Sequence, residues 1–288
     1  MKIINRIFDR KGGPILMAGF VVLFLWEKRR QLRNRQEPIV QRTIVNAVVG
    51  IPAFVLLRLL FLPAMVKIAN KNKQLQWGLN YRYHAPECVK FAVSFLIMDF
   101  SNYFWHILNH KFSWLWRFHV VHHTDRDLDV TTAIRFHFGE LIGSVFFRGA
   151  FIFLSGATAM NVLIYEIIFE GATQFHHSNM RLPIEKERLL NKVIVTPRMH
   201  GIHHSIVRQE TDSNYSVIFS FWDRLFNTVC LNVPQQQIVI GVPEYSHPEE
   251  LTIGALLKLP FNKLSRFPHN LSSAYKQASF AKRNQLSM

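Results

Sequence analysis

Apolar residues in this chain gather into four long runs separated by basic, polar or histidine-rich stretches. The first run, residues 14–26, follows Lys2, Arg6, Arg10 and Lys11 and is followed by Glu27-Lys28-Arg29-Arg30-Gln31-Leu32-Arg33. That order resembles a signal peptide but lacks a small-residue cleavage site, so it reads as an uncleaved anchor. The second run, 44–65, is long enough to cross a bilayer and is interrupted by Arg58 and Pro63. The third, 89–105, carries Asp99 and delivers His106 at its end. All of these runs predict helices.

The fourth run, 141–169, breaks at Ser155-Gly156. As one helix it would be ~42 Å long at 1.5 Å per residue, and a single crossing would put the histidines before it and those after it on opposite membrane faces. Two halves of ~20 Å are too short to cross fully. The run therefore predicts a shallow or tilted helical hairpin that returns the chain to its starting side.

From residue 182 the chain turns polar, with breakers at Pro243, Pro248, Pro260 and Pro268 and a basic tail from Leu264 suited to solvent, a membrane surface or a partner. The division expected is 1–88, membrane anchor helices; 89–233, a catalytic domain; and 234–288, a basic tail. The fold class expected is an all-α integral membrane protein. Transmembrane helices and a re-entrant or shallow hairpin would carry a cytosolic, histidine-rich helical metal domain.

Composition agrees. Hydrophobic residues make up 49% of 288, with 25 Phe, which is apolar for a soluble enzyme. The formal charge of +15 is shared with long apolar runs and no nucleic-acid-binding motif, so an anionic lipid surface explains it better than nucleic acid. The six Lys and Arg of segment 28–42 favour the cytoplasmic side for the polar layer, whereas Lys67, Lys71 and Lys73 pull weakly the other way. Two cysteines, Cys88 and Cys230, far apart and without a CxxC or CxxCH motif, remove the usual sequence support for a disulfide framework, a thiolate zinc site and covalent c-type haem.

The chemistry is carried by three boxes: His106-x-x-x-His110, His119-x-x-His122-His123 and His200-x-x-His203-His204. Residues three or four apart share a helix face, so each box aims two or three imidazoles at one region. With His176-His177 as further candidates, eight or nine convergent histidines exceed the needs of one ion and imply two. Imidazole suits zinc, copper, iron and nickel, and residue type alone does not choose among them. A zinc hydrolase lacks its HExxH signature here. A histidine-rich metal transporter or metal-binding protein is the alternative reading.

From about residue 90 to 230 the chain resembles the fatty acid hydroxylase and sterol desaturase superfamily of membrane di-iron oxygenases. The resemblance rests on the order of the boxes and on His122-His123-Thr124-Asp125, Thr131-Thr132-Ala133-Ile134-Arg135, His177-Ser178-Asn179, Thr196-Pro197, Thr211-Asp212-Ser213-Asn214-Tyr215 and Trp222-Asp223-Arg224-Leu225-Phe226. It implies iron ligands at His106, His110, His119, His122, His123, His200, His203 and His204, with His177 preferred to His176 for the ninth. His137, in Arg135-Phe136-His137-Phe138-Gly139-Glu140, is a candidate ligand, substrate-entry residue or helix cap. Glu140, Asp212, Asp99, Asp125, Glu170 and Asp223 are candidates to orient ligands, and Asn214 to approach a metal through water or to form a turn.

The resemblance further implies two iron ions, O2 as co-substrate, zinc as a substitute in recombinant protein, and hydroxylation or desaturation of a lipid entering from the bilayer. No cytochrome b5 signature, flavin-binding glycine pattern or ferredoxin cysteine set is present, so electrons are expected from a separate cytochrome b5 or ferredoxin/reductase partner. The hairpin and the two preceding runs are expected to leave an apolar slot below the metals.

Overall fold

The computed structural model describes residues 2–245 and 247–262, and the described part is helical, with only isolated β-bridges between segments. The tail from Leu264 lies outside the described residues. A helix starts at α1 (Lys2–Ile4), winds as a π-helix through Asn5–Gly12 and continues as α2 (Gly13–Arg29). The next is α3 (Ile39–Leu56), which runs through the π-helical Leu57–Phe61 into α4 (Leu62–Leu75). Pro52 and Pro63 each remove a backbone donor from this long rod, and the π turn lies between them.

The rod is followed by α5 (Glu87–Lys111), α6 (Ser113–His123), α7 (Phe138–Ser155) and α8 (Ala159–His177). Both α7 and α8 pack against α4 and against α5, giving a four-helix bundle. Its interior is filled by Phe61, Met65, Phe95, Met98, Val145, Ile152, Leu163 and Tyr165, with Ile4 and Phe8 of the amino-terminal helix completing the cluster. An ion pair between Arg148 and Glu166 joins the two arms of the hairpin inside the bundle.

Among the described residues, three segments are long and apolar enough to cross a membrane: Ile39–Tyr81, Glu87–Lys111 and Phe138–Ser155. Their outward side chains, among them Phe54, Leu59 and Phe146, are more than half exposed, as suits a hydrocarbon solvent. The hairpin turns where expected, with Gly156 in the left-handed region at φ 73°. A side chain at Gly78, in the loop before α5, would collide with the Gly156 backbone, so these two glycines let loop and turn meet.

The hairpin arms differ from expectation in length. They hold 18 and 19 residues, or about 27 and 28 Å at 1.5 Å per residue, close to the ~30 Å hydrocarbon thickness. Each helix continues past the apolar letters into polar residues that are sheltered at the histidine end, such as Glu140, Thr173 and His176.

That end is capped by a polar layer built from α6, α9 (Ile184–Leu190), α10 (Pro197–His203), α11 (Arg208–Thr211) and α12 (Phe221–Leu225). A buried ion network fixes the layer to α2 and α3. Glu27 accepts the backbone N–H groups of Val130 and Asn179, at 3.1 and 2.9 Å, and Arg42 pairs with Asp125 and Asp129.

Candidate metal centre

Four helix ends meet at one level. The carboxyl end of α5 supplies His106 and His110, α6 supplies His119, His122 and His123, the end of α8 supplies His177, and α10 with the residue after it supplies His200, His203 and His204. Their nitrogens form two groups: His106, His110, His119, His123 and His203 in the first, and His122, His177, His200 and His204 in the second. Within each group the candidate ligand atoms all lie within 4.8 Å of one another.

Helical geometry explains the partition. At about 100° per residue, positions i and i+4 differ by roughly 40° and position i+3 falls to the other side. His119 and His123 therefore turn to the first group and His122 to the second, while His200 and His204 turn to the second and His203 to the first. Each HxxHH box serves both groups.

The inward atoms have ligand spacing. Nε2 of His177 lies 2.9 Å from Nε2 of His122 and 3.0 Å from that of His200, and His200 lies 3.1 Å from His204 in the same way. Two nitrogens held at ~2.0–2.1 Å from one ion at a right angle would be about 2.9 Å apart. Among the described residues, the buried Nε2 atoms of His106, His110 and His203, all in the first group, have no hydrogen-bond partner. Buried polar atoms are rarely left so without a ligand to satisfy them, and with the Nε2 spacing of the second group the residues fit a pair of metal ions.

Outer contacts fix four tautomers. Nδ1 of His106 faces the Tyr215 carbonyl at 2.8 Å, that of His177 the Thr173 carbonyl at 2.7 Å, that of His203 the Ser213 carbonyl at 2.7 Å, and that of His119 a Glu140 carboxylate oxygen at 3.0 Å. Each such contact puts the proton on Nδ1 and leaves Nε2 free to bind. Burial holds His122, His123, His200 and His204 well below the usual imidazole value and pushes His203 down to about 3. These five are neutral at pH 7, the ligating form.

The remaining candidates divide by contact. His176 belongs to neither group; its Nδ1 faces the Val217 carbonyl and its ring lies 4.1 Å from that of His200. His137 caps α7, accepting the Gly139 N–H at Nδ1 while Nε2 faces the Leu257 carbonyl. Asn214 forms a turn at φ 55°, donating to the Met199 and Cys230 carbonyls. Asp212 lies 3.8 Å from Nδ1 of His110 and also accepts from the Tyr215 hydroxyl.

The other acids are structural. Asp99 accepts from Trp222 Nε1 and Phe219 N–H, Asp125 from Arg42, Asn46 and Thr132, and Asp223 from Tyr215 and Ser216 N–H. Glu170 belongs to neither group.

Sequence reasoning missed Asn109, which donates to Glu140 at 3.4 Å, Phe136, which stacks on His122 at 4.3 Å, and Trp116, 4.9 Å from His110 and 5.3 Å from His123. Asn109 had a findable signal, since it immediately precedes His110 on α5. The carbonyls that orient His106, His177 and His203 had none, because any residue supplies one.

Comparison with known proteins agrees with this geometry. Residues 91–228 match the family model for fatty acid hydroxylase. That segment, just under half of the chain, contains all nine grouped histidines and is similar to the fatty acid hydroxylase family. An ornithine lipid hydroxylase, OlsE, of Rhizobium tropici is 29% identical over 158 residues, covering 53% of this chain and 47% of its own. Human alkylglycerol monooxygenase is 25% identical over 156 residues, 54% of this chain and 33% of its own. Human cholesterol 25-hydroxylase is 26% identical over 137 residues, 46% of this chain and 48% of its own. The chain thus spans a third to about half the length of these relatives. No solved structure matches.

Proposed function

We propose that this chain is a membrane-bound, O2-dependent lipid oxidoreductase that holds one iron ion in each histidine group and hydroxylates a C–H bond. The carrying observation is the pair of neutral, buried imidazole groups at the end of an apolar bundle, in the segment that matches the hydroxylase family. Relatives named as hydroxylases and monooxygenases favour hydroxylation over desaturation.

Two bound irons supply the reduction of O2 that makes an unactivated C–H bond reactive. The overall balance is one C–H bond, one O2, two electrons and two protons giving one alcohol and one water. Nine imidazoles act here as ligands rather than proton carriers. His106, His177 and His203 are held by carbonyls and His119 by Glu140, so their Nε2 atoms are aimed before any ion arrives. Burial of all nine and the rings of Trp116 and Phe136 exclude water around the site.

The substrate is a lipid reaching the metal layer from the bilayer, and a separate cytochrome b5 or ferredoxin-type protein supplies the electrons. The basic segment 28–42 is bound into the metal layer through Arg33, Arg35 and Arg42, which favours the cytoplasmic side for the site. Residues 1–88 serve as anchor helices.

The test is comparative lipid mass spectrometry of cells expressing the wild type or His122→Ala. A lipid heavier by one oxygen, present only with the wild type, is expected. Identical lipid profiles in the two would contradict the reading.

A further inference from the structure

Segment 27–36, which lies outside the matched residues 91–228, is tied into the polypeptide on which the second histidine group stands. Its backbone pairs with the chain leaving α8. Leu32 N–H donates to the Asn179 carbonyl at 2.7 Å, Arg181 N–H to the Arg30 carbonyl at 2.8 Å, and Arg33 N–H to the Asn179 side chain at 2.9 Å. Asn179 is two residues past His177.

The Arg33 side chain reaches α10. Nη1 donates to the Pro197 carbonyl at 3.3 Å and to Gln235 at 2.6 Å, and Gln235 in turn donates to the Arg198 carbonyl at 3.1 Å. The guanidinium packs against Gly201, which stands between the ligands His200 and His203 in the chain; a Cβ there would fall 2.3 Å from Nη1. Only glycine admits this contact. Burial lowers the Arg33 guanidinium to about 10, which still leaves it a cation at neutral pH.

We infer that Arg33 is a positioning residue for the second ion: it locks α10 to the exit of α8 and so holds His200 and His204 against His177. The inference rests on the two-iron reading above. The two groups depend on α10 unequally. The second takes two of its four histidines from the box, whereas the first takes one of five, His203. Release of the clamp therefore weakens one position and spares the other, which a general loss of stability would not do.

The test is a cobalt(II) titration of the purified full chain in detergent, followed by equilibrium dialysis and metal analysis. Wild type is expected to hold two equivalents. Arg33→Met is expected to keep one tightly and bind the second ten- to a hundredfold more weakly, the usual scale for loss of a supporting contact. Arg33→Lys, with its cation and one donor toward Gln235, is expected to recover part of that loss. Two tight equivalents in Arg33→Met, or loss of both from a folded variant, would overturn the inference. Should Arg33→Met not fold, Gly201→Ala carries the test, because its methyl displaces the guanidinium while every polar partner remains; two tight equivalents there overturn the inference as well. A wild type that holds fewer than two equivalents defeats the two-ion reading itself, a failure visible without any variant.

Discussion

The imidazoles of His123 and His204 stack with ring centroids 4.4 Å apart and planes 19° from parallel, although the two belong to different groups. The second and third boxes thus pack directly on one another, and the two groups share a wall. A ligand lost from either side disturbs that wall. His204→Ala and His123→Ala are each expected to abolish lipid oxidation while the protein still inserts in the membrane. Fractionation with an activity assay checks this, and retained turnover would remove that histidine from the ligand set.

Glu140 supports the first group from outside by accepting from His119 and Asn109. Its replacement by alanine leaves Nδ1 of His119 without a partner and the ring free to turn. Metal affinity of the first group is expected to fall ten- to a hundredfold. Glu140→Gln, which keeps an acceptor oxygen, is expected to fall less, and competition titration with a chelator measures both.

Acid should unfold the metal-free protein through the histidines themselves. His122, His123, His200, His203 and His204 have folded values below the unfolded value near 6.5, so the unfolded chain binds more protons as pH falls. Above about pH 6.5 neither state is protonated and nothing is lost. Below it, each group lowers stability by at most about 1.4 kcal/mol per pH unit. The melting temperature of chelator-treated protein is expected to be flat above pH 7 and to drop steeply below pH 6. A flat profile down to pH 5 would contradict it.

Arg42 is buried against Asp125 and Asp129, the nearer acid lying 83 positions further along the chain. Arg42→Met leaves buried Asp125 without its ion-pair partner and Asp129 with Arg35 alone, and removing one partner of a buried pair typically costs about 3–5 kcal/mol. A lower thermal midpoint of the purified protein is the expected readout. An unchanged midpoint would show that α3 does not hold the polar layer through this pair.

The convergence of the histidines was largely legible because its signal is local. Histidines three and four apart on short helices have few places to point, and the hairpin followed from the need to bring His177 and His200 to the side of His106. The lengths of α7 and α8 were not legible, because polar residues such as Glu140 and Thr173 are sheltered by the layer and read as helix ends. The clamp from Glu27 and Arg33 was invisible for a different reason. Its partners are backbone carbonyls and N–H groups more than a hundred residues away, which leave no mark on local pattern. His137 and Asn214 show the converse, since a residue inside a family motif can be there to cap a helix or make a turn.

The most direct measurement is iron analysis of purified, iron-supplied protein combined with turnover of a lipid extract under oxygen-18 gas. The account predicts close to two irons per chain and a product alcohol carrying the heavy oxygen. Protein that holds no more than one metal ion under those conditions, or an alcohol whose oxygen comes from water, would contradict it.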